Sequence, residues 1–173
     1  KIRAYDKFKP SNTFEETVGE SEFIFLCLPT PMYEDNGEID LTILDEVLGQ
    51  INDFVEEGND KIVIIKSTVV PGTCREFAKK YSKINIVDNP EYLTARNSQL
   101  DFIFATRIVL GGDIKYVDRV GDLYRHRFGN SIPIYKVDWE TAEISKYGIN
   151  IAFAVKISYF NFVYQMCQKL GVN

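Results

Sequence analysis

A single histidine and three cysteines in 173 residues leave little from which to build a metal centre or a disulfide framework. Cys27, Cys74 and Cys167 are odd in number and none forms a Cys-x-x-Cys pair, which excludes a stapled secreted scaffold and a Cys/His zinc site. No metal is expected. Basic charge is also short: 20 Lys and Arg stand against 25 Asp and Glu, a net charge of −5. That balance gives no drive toward nucleic acid or an anionic membrane. Long apolar runs are missing too. The longest, at 23–28, falls far below the ~20 residues that a membrane-spanning helix requires, and no signal peptide is expected from Lys1-Ile2-Arg3 leading into Asp6-Lys7. A reducing, cytoplasmic setting is the expectation. What is present is a chain 45% hydrophobic, enough for one substantial core and hardly two.

Runs rich in β-branched and aromatic residues lie at 2–6, 22–28, 61–67, 84–87, 107–110 and 132–137. They are continuous rather than alternating, as strands buried on both faces are. Helical periodicity fills intervals at 13–19, 41–57, 73–81 and 114–128, with Asp40 and Gly58 as the caps of the second of these. The order predicts an α/β fold, a doubly wound, mostly parallel, Rossmann-like sheet. Residues 138–171 differ: they lack proline, keep a helical period and are apolar almost all round beyond Asn150. One helix of that length runs ~45–50 Å, more than a single sheet layer needs. A domain at 1–137 and a long helix at 138–173 are therefore expected, the helix covered in part by something outside the chain. Gly148 is its weak point, since glycine costs ~1 kcal/mol in a helix interior.

Ligands of doubly wound sheets sit at the carboxyl ends of the strands, so the residues just past each run carry the functional information. Asp6 closes the first run, either to accept from ribose hydroxyls or to form a turn. Leu28-Pro29-Thr30-Pro31 follows the second, a stiff loop that stands open beside a ligand or simply leaves the sheet. Ser67-Thr68-Val69-Val70-Pro71-Gly72-Thr73 follows the third, where a helix N-terminus can face an anion and Thr73 can equally be its cap. Asp88-Asn89-Pro90-Glu91-Tyr92-Leu93 places a carboxylate where a general base works or where a loop acid is merely solvated. In the long helix, Glu140, Glu143, Lys146 and Asn150 share one face. Lys146 there is either a cation held near Tyr147, Ile149 and Ile151, with burial lowering its pKa, or the surface partner of Glu143.

These segments together resemble the UDP-glucose/GDP-mannose dehydrogenase family, whose members oxidise the C6 alcohol of a nucleotide sugar twice with NAD. The matching pieces are Leu26-Cys27-Leu28-Pro29-Thr30-Pro31, Lys66 through Thr73, Asn89-Pro90-Glu91-Tyr92-Leu93, Arg107-Ile108-Val109-Leu110-Gly111-Gly112, and Ala142 through Tyr147 with Asn150. The resemblance implies a ribose acid at Asp6, a cofactor loop at Leu28, Pro29, Thr30, Pro31 and Met32, and a turn at Ser67, Thr68 and Val69 that meets cofactor and catalytic water. It implies that Glu91 handles water in thioester hydrolysis and that Lys146 and Asn150 steady the C6 oxyanion, with Tyr92 and Leu93 beside the sugar. It further implies NAD as cofactor, a nucleotide sugar as substrate and a homodimer through the long helix.

Three departures qualify the match. The family's opening strand and Gly-rich turn are absent from these residues, so the chain reads as the cofactor domain from its second strand onward and is expected to be inactive alone. An acid common four residues after the glutamate is replaced by Ala95. None of the three cysteines lies in the family's Gly-Gly-x-Cys loop, and all three read as structural. Two other readings are a non-catalytic binding or dimerisation module of the same fold and a β-hydroxyacid dehydrogenase. The joint presence of Thr68, Glu91, Lys146 and Asn150 speaks against the first, the Pro-Thr-Pro and Asn-Pro-Glu segments against the second.

Overall fold

The computed structural model describes residues 2–9, 11–94 and 96–172. Its elements in chain order are α1 (Phe14–Gly19), β1 (Phe23–Leu26), α2 (Thr42–Phe54), β2 (Ile62–Ile65), α3 (Thr73–Lys80), β3 (Asn85–Asp88), α4 (Ser98–Ile103), β4 (Ile108–Gly112), α5 (Ile114–Phe128), β5 (Ile134–Val137) and α6 (Trp139–Leu170). The strands form one sheet in the order β1-β2-β3-β4-β5, parallel at every step except between β3 and β4. The doubly wound, mostly parallel architecture read from the sequence is the one observed.

Strand β2 shows why the runs are continuous. Val63 and Ile65 pack with α2 and α3 on one face, while Ile62 and Ile64 pack with α5 on the other, and all four are fully buried. Helix α2 turns Leu44, Leu48 and Ile51 inward. It is shorter than its periodicity suggested: Leu41 is the N-cap, the Asp40 side chain accepts the Thr42 N–H, and the helix stops at Val55, leaving Gly58 in the following turn at φ 77°.

Residues 2–6 are not a strand, which corrects the first of the six runs. A strand is defined by a neighbour, and nothing among the described residues pairs with this one as a ladder. Ala4 is instead tied to Ser11 and Asn12, Arg3 pairs with Glu20, and Tyr5 meets Phe14 edge to face. Six-residue α4 had escaped the periodicity, because less than two turns carry too little pattern.

Helix α6 is continuous through Gly148, starting from an Asp138 cap that accepts the Thr141 N–H and ending at Gly171. Its first turns lie on the sheet, where Ala142 and Glu143 are buried. Gly111 of β4 permits this approach, since a Cβ there would come within 2.6 Å of Ala142 Cβ and 2.9 Å of the Asp138 carbonyl oxygen. From Ile151 onward nearly every residue is exposed, including Phe153, Ile157, Phe160, Phe162 and Tyr164. No helix of the described residues is long and apolar enough to cross a membrane.

Candidate active site

The loops leaving β1 and β2 are stitched into one unit. Ser67 Oγ donates to the Leu28 carbonyl at 2.6 Å and accepts the Leu28 N–H at 3.0 Å, while Thr30 Oγ1 donates to the Thr68 carbonyl at 2.8 Å. Pro29 and Pro31 lack an N–H to compete for these acceptors. Pro29, Pro31 and Met32 consequently stand exposed on the outer edge. Ser67 is buried as the clamp, Thr68 is half-buried, and Val69 turns its side chain into the core.

At the exit of β3, Asn89 is a buried hub. Its N–H donates to the Ile65 carbonyl at 2.9 Å and its side-chain amide to the Val109 carbonyl at 2.8 Å. Its Oδ1 accepts from Lys66 Nζ at 3.0 Å and from the Tyr124 hydroxyl. This holds the Asn89-Pro90-Glu91-Tyr92 segment over a cavity of about 500 Å³ lined by Lys66, Asn89, Glu91, Tyr92, Arg107 and Tyr124. The long β3 to β4 connection thus roofs the site that its own ends define.

Lys146 reaches this cluster from α6, its Nζ 5.8 Å from the Tyr92 ring centre, with the Arg107 guanidinium 4.9 Å from the same ring. The Tyr92 hydroxyl is bonded to Ser145 Oγ, which fixes the ring against the helix. Burial lowers the Lys146 ammonium below its ordinary pKa, opposed by the charge of Glu91. Lys66 is lowered in the same way, opposed first by Glu91 and reinforced by Lys146. Two partly desolvated cations therefore flank one carboxylate, an arrangement suited to stabilising charge that develops on a bound group. Glu91 is exposed at the cavity mouth, Leu93 is half-buried, and Asn150 is exposed one turn beyond Lys146. The aromatic ring beside Lys146 is that of Tyr92, from the β3 to β4 connection.

The surface pair between Lys146 and Glu143 is absent. Glu143 is only 1% exposed and points to α3, where Oε2 accepts the Gly72 N–H at 2.6 Å and Oε1 the Cys74 N–H at 2.8 Å. The anion expected at the Pro71-Gly72-Thr73 turn is thus this chain's own carboxylate, and Gly72, rather than Thr73, is the N-cap. Glu140 pairs with Arg75, whose guanidinium holds its carboxyl down at about 2. Asp88, 1% exposed, is pushed up to about 8, first by its burial and then by Glu143's charge.

Among the cysteines, Cys74 is buried with its thiol pushed well up by burial. Cys167 is half-buried on α6. Cys27 departs from the buried position expected of it: β1 is an edge strand, and the residue is exposed. No cluster of metal-ligating side chains occurs among the described residues. Ala95 lies outside them.

Lys66, Asn89, Tyr124, Arg107 and Glu143 went unassigned in the sequence. A signal existed for Lys66, a cation directly after four fully apolar residues at a strand end. None existed for Tyr124, which is one aromatic among several on α5.

The donor set has the chemistry for a dinucleotide at two places. The outer edge of the Leu28–Met32 loop stands exposed beside Thr68, and Asp6, whose Oδ1 accepts the Phe8 and Lys9 N–H groups, keeps Oδ2 without a partner among the described residues. Asp6 therefore forms the turn and retains an acceptor for a hydroxyl.

Residues 1–127 match the profile of the UDP-glucose/GDP-mannose dehydrogenase family, NAD binding domain. A UDP-glucose 6-dehydrogenase of Rickettsia bellii is 30% identical over 174 residues, covering 98% of this chain and 39% of that protein. A UDP-glucose dehydrogenase structure from Pyrobaculum islandicum superposes with a TM-score of 0.82 at 28% identity, covering 94% of this chain and 39% of that one. A GDP-mannose dehydrogenase structure from Pseudomonas aeruginosa gives 0.79 at 27%, covering 92% and 38%. The chain spans less than half the length of the curated relatives it matches. With the profile covering most of its length, this chain belongs to the UDP-glucose/GDP-mannose dehydrogenase family and carries that family's NAD binding domain.

Proposed function

We propose that this chain supplies the cofactor half of a nucleotide-sugar 6-dehydrogenase, which takes a C6 alcohol to a carboxylate in two hydride transfers. The observation that supports it is the gathering of Lys66, Glu91 and Tyr92 around one cavity at the strand ends, with Lys146 of α6 set beside the Tyr92 ring. Residues 1–137 are the NAD domain and 138–173 the helix that brings Lys146 and Asn150 to it. Asp6, the loop of Leu28, Pro29, Thr30, Pro31 and Met32, and the turn of Ser67, Thr68 and Val69 would hold NAD, which when bound supplies the hydride acceptor.

Lys146 and Asn150 would stabilise the oxyanion that develops at C6 in each oxidation, where a desolvated cation is more effective than a hydrated one. Glu91 would accept a proton from the water that releases the acid product from a covalent thioester, and its place at the cavity mouth admits that water. Thr68 would hold the water, and Tyr92 and Leu93 would flank the sugar. UDP-glucose and GDP-mannose are the substrate classes the relatives' names suggest.

The test is made in the full-length dehydrogenase that carries this segment. Lys146→Ala is expected to slow both hydride transfers by ~10²–10³ with little loss of folding stability. Glu91→Gln is expected to pass the oxidations and accumulate a protein-bound thioester, visible by mass spectrometry. Normal turnover of Glu91→Gln without an adduct would end the assignment.

A further inference from the structure

Two buried carboxyl groups lie close to the point where α6 touches the sheet. Asp88 pairs with Gly111 across the antiparallel β3/β4 step, and Ala142 sits directly on Gly111. The next residue of α6 is Glu143. Asp88 and Glu143 are each 1% exposed. Their hydrogen bonding is unequal, for both oxygens of Glu143 accept backbone N–H groups of the α3 N-terminus while Asp88 Oδ2 is buried with no partner among the described residues. An unpartnered anionic oxygen in such a place is costly, and a second negative charge beside it raises the cost. A bound proton removes both penalties.

The groups that face Asp88 from other elements do not replace that proton. Glu143 on α6 repels it, and Cys74 on α3 has its own thiol held up by burial. Tyr92, in the β3 to β4 connection, is likewise pushed up by burial, and Asp88 adds to that rise. Lys66, past β2, is attractive but commits a bond to Asn89 and is weakened by its own burial.

We propose that Asp88 and Glu143 form a proton-dependent latch: with a proton on Asp88 the first turns of α6 are seated on the sheet and on α3, and loss of that proton unseats them. Lys146 lies one turn beyond Glu143 on the same helix, so unseating withdraws it from Tyr92 and Glu91. Asp88 is thereby a positioning residue for Lys146, whatever reaction the cavity serves. The direction follows from linkage. The folded carboxyl is raised above the ~3.9 of an unfolded aspartate, so the seated state is favoured fully below that value and loses stability as pH climbs toward about 8.

Carbon-13 titration of the aspartate carboxyls in the unmodified chain, read beside amide exchange at Gly72 and Cys74, tests the latch. Asp88 is expected to titrate near pH 8. Between about pH 4 and pH 8 the protection of both amides, corrected for intrinsic exchange, is expected to fall by roughly tenfold or more and then to level off. Asp88→Asn, neutral at every pH, should abolish that fall. An Asp88 carboxyl titrating below about pH 5, protection that stays level between about pH 4 and pH 8, or a fall that survives in Asp88→Asn would each overturn the proposal. Should Asp88→Asn not fold, the two measurements on the parent chain decide alone.

Discussion

Glu143 Oε1 accepts the backbone N–H of Cys74 at 2.8 Å, across 69 residues of sequence. The bond joins the long helix to the N-terminus of α3, where unpaired N–H groups and the helix dipole favour a negative charge. A place that in other folds of this class holds a ligand's phosphate is here filled by the protein itself.

Removing this carboxylate should be expensive. Glu143→Ala leaves the Gly72 and Cys74 N–H groups without their acceptor, and the loss is expected to be about 2–5 kcal/mol by urea denaturation. Glu143→Gln keeps one acceptor oxygen and should lose less. Equal midpoints for Glu143→Ala and the parent would show that water reaches those amides after all.

Gly111 governs how closely α6 can lie. Gly111→Ala brings a methyl to 2.6 Å from Ala142 Cβ, well inside contact distance, and overpacking of this kind costs ~1–3 kcal/mol. Trp139, the chain's one tryptophan, donates to the Ile86 carbonyl at 3.1 Å beside this contact. A shift in its emission should accompany the loss, and an unchanged spectrum with unchanged stability would refute the tight seating.

Titration calorimetry of this chain with NAD should give at best weak binding. The 173 residues contain no Gly-rich turn of the dinucleotide type, and Glu143 already occupies the α3 N-terminus that might otherwise take the pyrophosphate. Tight binding would point to an anion site outside both.

The outer half of α6 exposes Phe153, Ile157, Phe160, Phe162 and Tyr164 along one helix. So large an apolar surface favours association, and a homodimer through this segment is expected in sedimentation experiments. Phe153→Glu with Phe160→Glu should shift the chain to monomer, while a parent chain monomeric at high concentration would refute the dimer.

Much of this molecule was legible in the sequence because local rules govern it. The apolar runs of β2 and β4 and the unbroken period of α6 each depend on neighbours within one turn or one strand. The stiff course of the loops at 28–32 and 67–73 was equally readable, since prolines and hydroxyl residues at strand ends constrain the backbone on the spot.

What the tertiary structure decided was partnership. Residues 2–6 have the composition of a strand, but a strand forms only where another offers a ladder. Glu143 and Lys146 have the spacing of an ion pair, yet Glu143 turned inward to accept two N–H groups at the α3 N-terminus, and that left Lys146 to Tyr92 and Glu91. Asp88 reads as an ordinary strand-end acid until the close seating of α6 on Gly111 buries it and brings the charge of Glu143 to bear on it. Spacing tells which side chains share a face, but desolvation and unpaired hydrogen bonds choose their partners, and both are known only once distant elements have packed.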